Sequence, residues 1–131
     1  IGFADTGVPH LVVRVPDADE ADLLVRGRAL RNHPALHQGG ANVNFVSSLP
    51  GGSWRMRTYE RGVEGETLAC GTGAAASGAL LRAWRLAGDE INLETTSGRQ
   101  LLVSIHELSG VITPSLAGEG RLVFEGSCVD I

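Results

Sequence analysis

The sequence predicts an α+β domain in which a curled sheet wraps one long, buried helix. Three observations predict it. Residues 73–87, GAAASGALLRAWRLA, are dense in Ala and Leu, the strongest helix formers, and their first half is small or apolar all round. Seven short runs between turn residues read as strands and are spread over the rest of the chain. A length of 131 residues suits one domain with one core, so residues 1–131 are read as a single domain.

The elements follow in order. LVVRV, residues 11–15, reads as a strand that Pro16 ends. Asp17 and Glu20 then resemble a capping box, and Leu23, Leu24, Gly27 and Leu30 recur at helical spacing, so a helix is expected over 18–32, stopped by His33-Pro34. NVNFVSS (42–48) and SWRMRTYE (53–60) read as a hairpin about Pro50-Gly51-Gly52. In its second strand Trp54, Met56 and Thr58 form the mostly apolar face, opposite Arg55, Arg57 and Tyr59. The strong helix over 73–87 carries only Arg82 and Arg85 as charges, near its C-terminal end, with Gly88 expected at C′. Strands are expected at 90–95, 99–105, part of 109–115 and 120–126.

Composition narrows the function classes. Hydrophobic residues make up 43% and charged residues 20%, the balance of a globular chain. A net charge of −4 argues against nucleic acid or an anionic membrane as partner. No apolar run is long enough to span a bilayer, and no basic-then-apolar leader opens the chain. Two cysteines, Cys70 and Cys128, do not make a disulfide framework, which favours a reducing cytoplasm, although a single bridge between them stays open. The first residue is Ile1 and the only methionine is Met56, so a processed or engineered piece of a longer protein is expected.

The chemistry concentrates at ACGTG, residues 69–73. A cysteine at the start of a buried helix faces unpaired N–H groups and a partial positive charge, which favour a thiolate. The glycines beside Thr72 leave room for a ligand to approach the backbone, and the N–H groups can hold a carboxylate. The plainer alternative makes Cys70 a small buried hydrophobe. His10, His33, His37 and His106 lack ligand spacing, so no metal site is expected. GxGxxG is absent and no βαβ unit is read around GTG, so no dinucleotide site is expected either.

GVPH, GANVNF, YERGVEGETLACGTGAAAS, TSG and VFEG, in this order, resemble the C-terminal half of the diaminopimelate epimerase family over essentially the whole chain. The resemblance implies a curled, mostly antiparallel sheet about one long central helix, facing a similar N-terminal domain that this chain lacks. It implies cofactor-independent interconversion of LL- and meso-2,6-diaminopimelate, on the route to lysine, by two cysteines that exchange acid and base roles. Cys70 would be one of them. The backbone of Gly71 and Thr72 would help hold the substrate carboxylate. Asn42 and Arg61 would grip the distal carboxylate and Glu60 an ammonium, while His10 would support the site.

Each residue also has a structural reading: a solvated strand end for Glu60 and Arg61, a turn for Asn42, and a structural hydrogen bond for His10. Val8 stands where the family often has Asn before the Pro-His pair. Cys128 lies outside the motif and reads as a packing residue of the last strand. Without the second cysteine the chain is expected to be inactive alone. A homodimer is compatible with the resemblance. The alternatives are a proline- or hydroxyproline-type racemase, whose substrates leave Glu60 and Arg61 less to do, and a non-catalytic binding module on the same scaffold. The isomerase type used in phenazine synthesis shares the fold but not the cysteine chemistry.

Overall fold

The computed structural model describes residues 1–129. The strands are β1 (Gly2–Asp5), β2 (Pro9–Arg14), β3 (Asn42–Ser48), β4 (Trp54–Glu60), β5 (Gly65–Thr67), β6 (Glu90–Glu94), β7 (Gln100–Leu108) and β8 (Val111–Gly118). The helices are α1 (Leu23–Arg31) and α2 (Gly71–Ala83). The strands form one mixed sheet in the order β1-β2-β3-β4-β6-β7-β8, with β5 paired to β4 beside this path. Strands β1 and β5, of four and three residues, are too short to show an alternation in the sequence.

Two of the pairings are parallel. β2 and β3 are joined through α1, and β4 and β6 through β5 and α2. The second connection places a parallel crossover around Gly71-Thr72-Gly73, where none was expected. A parallel pair needs a long crossover but leaves no local turn signature.

Alternation along the strands splits the interior into two cores, one on each face of the sheet. Val12, Val46, Trp54, Met56, Leu81, Ile91 and Val103 pack on the α2 side. Leu11, Val13, Leu23, Val43, Phe45 and Tyr59 pack on the α1 side. Helix α2 touches β1, β2 and β3 near one end of the sheet and β7 and β8 at the other, so the sheet is curled. Gly78 of α2 is needed for this approach, because a Cβ there would lie 2.6 Å from Val103 Cγ1.

Five expectations are corrected. Helix α1 begins at Leu23, capped by the Asp22 side chain on the Val25 N–H at 3.2 Å. Asp17 instead closes a turn on the Asp19 N–H at 2.8 Å. The carbonyls of Ala18, Asp19 and Ala21 are taken by the Arg57 guanidinium at 2.9–3.2 Å, which holds this stretch out of the helix. Helix α2 runs two residues further toward the N-terminus than expected and ends at Ala83.

Its left-handed exit residue is Arg85, with φ 58°, rather than Gly88, and the Leu86 N–H bonds back to the Leu81 carbonyl at 2.9 Å. No strand forms at 120–126. After Gly118 the chain leaves the sheet, and Leu122, Val123 and Phe124 are each at least 80% exposed. A β-prone run becomes a strand only by pairing, and here it pairs with no described strand and its side chains stay exposed. Cys128 is therefore exposed and packs no strand. Among the described residues no helix is long and apolar enough to cross a membrane.

Candidate active site

The site is built where the N-terminus of α2 meets β2, β3 and β4. Cys70 is the N-cap residue of α2, with extended backbone (φ −139°, ψ 107°), and it is partly exposed. Its side chain makes no capping bond to the first turn. Helix N–H groups left without a side-chain cap are open to an anion. An open hollow of about 520 Å³ lies beside this turn, lined by Asp5, Thr6, Gly71, Thr72, Pro114 and Leu116.

Behind the cysteine runs a chain of polar side chains. Cys70 Sγ is 3.6 Å from Thr72 Oγ1, which is 3.0 Å from His10 Nε2. His10 Nδ1 is 3.1 Å from Asn44 Nδ2, and Asn44 Oδ1 accepts from Thr58 Oγ1 at 2.9 Å. Strand register explains the alignment. Thr58 pairs with Asn44 across β3 and β4, and Asn44 pairs with Val12, two residues beyond His10 on β2. All three side chains face α2, and His10, Asn44 and Thr58 are buried.

Burial of the imidazole lowers the His10 pKa to about 4, against the weaker upward pull of Asp5 and Glu60; Arg61 lowers it slightly further. His10 is therefore neutral at pH 7. Gly73 makes this chain possible: a Cβ there would lie 2.4 Å from Asn44 Oδ1 and 3.2 Å from Cys70 Sγ. The space left by that glycine is filled by a side chain of the protein.

The other expected residues are placed as follows. Asn42 is buried and its amide is committed to backbone: Oδ1 accepts from the Arg61 N–H at 2.8 Å, and Nδ2 donates to the Pro9 carbonyl at 3.4 Å. It ties the end of β4 to the start of β2. Glu60 Oε2 accepts from Thr67 Oγ1 at 2.7 Å, and an Arg61 guanidinium nitrogen lies 3.5 Å from the Gly39 carbonyl. Both remain partly exposed, and their charges reach the His10 ring.

Gly71 and Thr72 form the first turn of α2, and the Thr72 carbonyl accepts from Thr6 Oγ1 at 3.1 Å. His33, His37 and His106 lie away from this chain and are exposed. No group of three or more His, Cys, Asp or Glu able to hold a metal occurs among the described residues. Asn44, Thr58 and Thr6 were not singled out from sequence. The available signal was Asn42 and Asn44 alternating within an otherwise apolar strand, which places two amides on one inward face.

The diaminopimelate epimerase family model matches residues 2–120. The diaminopimelate epimerase of Gemmatimonas aurantiaca is 52% identical, over 96% of this chain and 48% of its own length. That of Hydrogenobaculum is 48% identical, over 95% of this chain and 44% of its own. The chain thus spans about half the length of the curated relatives it matches.

Among solved structures, a hydroxyproline epimerase from Agrobacterium vitis with bound trans-4-hydroxy-L-proline aligns with a TM-score of 0.63 at 24% identity, over 86% of this chain and 40% of that one. A probable proline racemase from Agrobacterium radiobacter aligns with a TM-score of 0.62 at 22% identity, over 91% and 44%. At these identities the likeness is one of fold: a curled mixed sheet with helices.

Proposed function

The chain belongs to the diaminopimelate epimerase family, and from that membership we propose that it is one half of a cofactor-independent epimerase acting on 2,6-diaminopimelate, with α2 as its central helix and Cys70 as one of two acid/base groups. The observation that carries this reading is the position of Cys70: partly exposed, at the N-cap of α2, with no side chain capping the turn.

Inversion at an α-carbon needs a base on one face and an acid on the other. In one direction the Cα–H bond breaks, its proton goes to the Cys70 sulfur, and the electron pair passes into the adjacent carboxylate. An acid from the second domain then returns a proton to the opposite face. In the reverse direction Cys70 gives the proton. The carboxylate gains charge during the reaction, so fixed donors lower the barrier most when they are already aimed at it. The N–H groups of Gly71 and Thr72 are suited to this. Glu60 and Arg61, both partly exposed beside the site, would meet the ammonium and carboxylate at the far end.

The test uses the full-length protein that contains this domain. Cys70→Ser should slow exchange of the α-hydrogen of diaminopimelate with deuterated solvent by at least about 100-fold, the low end of what a positioned acid/base contributes. The 131-residue chain alone should show no turnover. Unchanged exchange in the Cys70→Ser protein, or robust epimerisation by the isolated chain, would overturn the proposal.

A further inference from the structure

We propose that Asn44 is a positioning residue that locks His10 in its Nε2–H tautomer and thereby turns the Thr72 hydroxyl into a hydrogen-bond donor to the Cys70 sulfur.

The amide orientation of Asn44 comes first. The amide nitrogen lies 3.2 Å from the Leu11 carbonyl and 3.1 Å from His10 Nδ1. A backbone carbonyl only accepts, so the atom facing it must be the NH2 group. Reversing the amide would set two oxygens against each other. Thr58 agrees, since its hydroxyl donates to the oxygen at 2.9 Å. The orientation is thus set by two independent partners rather than by the histidine.

With the NH2 group facing the ring, His10 Nδ1 must be the acceptor. His10 is fully buried and its pKa is lowered to about 4 by that burial, so the ring holds one proton near neutrality. That proton is then on Nε2 and points to Thr72 Oγ1 at 3.0 Å. Thr72 Oγ1 accepts it. The hydroxyl has one hydrogen left to give, and its other described partner is Cys70 Sγ at 3.6 Å.

Each bond runs toward the sulfur: from Asn44 to His10, from His10 to Thr72, from Thr72 to Cys70. Such a chain delivers its last hydrogen to the sulfur, where a charge-assisted bond forms whenever the sulfur accepts it. The charged groups acting on the ring are Asp5 from the end of β1, Glu60 from the end of β4, and Arg61 next to it. None of the three sits within the chain itself. The consequence for catalysis rests on reading Cys70 as the acid/base group; the hydrogen-bond direction does not, and it is measured without substrate.

The first measurement needs no substitution at the site. Nitrogen-15 NMR of the ring in the 131-residue chain should show a protonated Nε2 and a bare Nδ1. A protonated Nδ1 would refute the lock outright, whatever the enzyme's substrate.

The second measurement follows alkylation of Cys70 by iodoacetamide against pH, with Cys128→Ser in every protein so that one thiol reports. Asn44→Asp presents an acceptor to Nδ1 and should draw the ring proton there. Alkylation at pH 7 should fall about three- to tenfold, the scale of one charge-assisted hydrogen bond over a long sulfur contact. Thr72→Val should lower it by a similar factor, and Asn44→Asp should add nothing in that background. A merely structural role for Asn44 would lower stability without shifting the alkylation profile. Should Asn44→Asp fail to fold, the wild-type tautomer and the Thr72→Val profile decide the matter; unchanged alkylation in Thr72→Val would overturn the proposal.

Discussion

Acidification between pH 7 and pH 5 should destabilise the protein chiefly through one residue, His10. The imidazole is buried without a carboxylate partner, and its pKa falls from 6.5 to about 4 on folding. In the unfolded chain the ring takes up a proton as pH drops through 6.5, while the folded protein holds it neutral until about 4. Between those values the unfolded state binds more protons, so stability falls with pH.

At about 1.36 kcal/mol per unit, roughly 2 kcal/mol is lost by pH 5 and roughly 3 by pH 4, after which the curve flattens. Glu66 and Glu64 titrate elsewhere. The first is held below the usual carboxylate range mainly by its hydrogen bond from Arg57, the second mainly by the Gly62 N–H, so what they contribute is present above that range and is lost only as pH falls through it. Urea unfolding of the wild type and of His10→Gln, at pH 7, 6 and 5, isolates the effect. The wild type should lose about 2 kcal/mol across the series relative to the variant. Parallel pH profiles for the two proteins would show that folding does not hold the buried ring neutral.

Two further predictions concern the scaffold. Gly78→Ala gains helix propensity worth up to about 1 kcal/mol, but its methyl would sit 2.6 Å from Val103 Cγ1 in the closed core. Overpacking of this kind costs about 1–3 kcal/mol, so the variant should melt lower; an unchanged or raised Tm would show that the α2–β7 contact has slack. Arg57→Lys keeps the charge but loses the paired bonds to both Glu66 oxygens, at 2.8 Å each, and most of the hold on the Ala18–Ala21 carbonyls. A loss of about 1–2 kcal/mol in urea unfolding is expected, with the first increase in amide hydrogen exchange at residues 17–22; uniform exchange would refute the clamp.

Local chemistry made part of this fold legible. The Ala- and Leu-rich run of α2 is helix-forming by propensity, and strands β2, β3, β4, β6 and β7 carry apolar residues at successive or alternate positions between turn residues. Where a distant residue competed, the reading from sequence failed. Residues 17–21 have a capping-box pattern, yet Arg57, 36 to 39 positions away, takes their carbonyls. The run at 120–126 has a strand's composition, yet it pairs with no strand among the described residues. Propensity describes what a segment tolerates, while pairing and competing hydrogen bonds decide what it does.

The site divides along the same line. Cys70-Gly71-Thr72-Gly73 is contiguous, so the thiol at a helix start is visible in four residues. What stands behind it is not contiguous at all. His10, Asn44 and Thr58 come from three strands and meet only because β2 and β3 pair in parallel while β3 and β4 pair antiparallel, with Asn44 opposite Thr58 and two register positions from His10. A shift of one residue in either register would turn Asn44 to the α1 face, into the Phe45 and Tyr59 core. The buried apolar alternation on both faces therefore does more than stabilise the sheet. It fixes the register that aims an amide at a histidine, and through Thr72 it sets the environment of the sulfur. Substitutions deep in either core that loosen this register should be felt at Cys70 before they are felt in global stability.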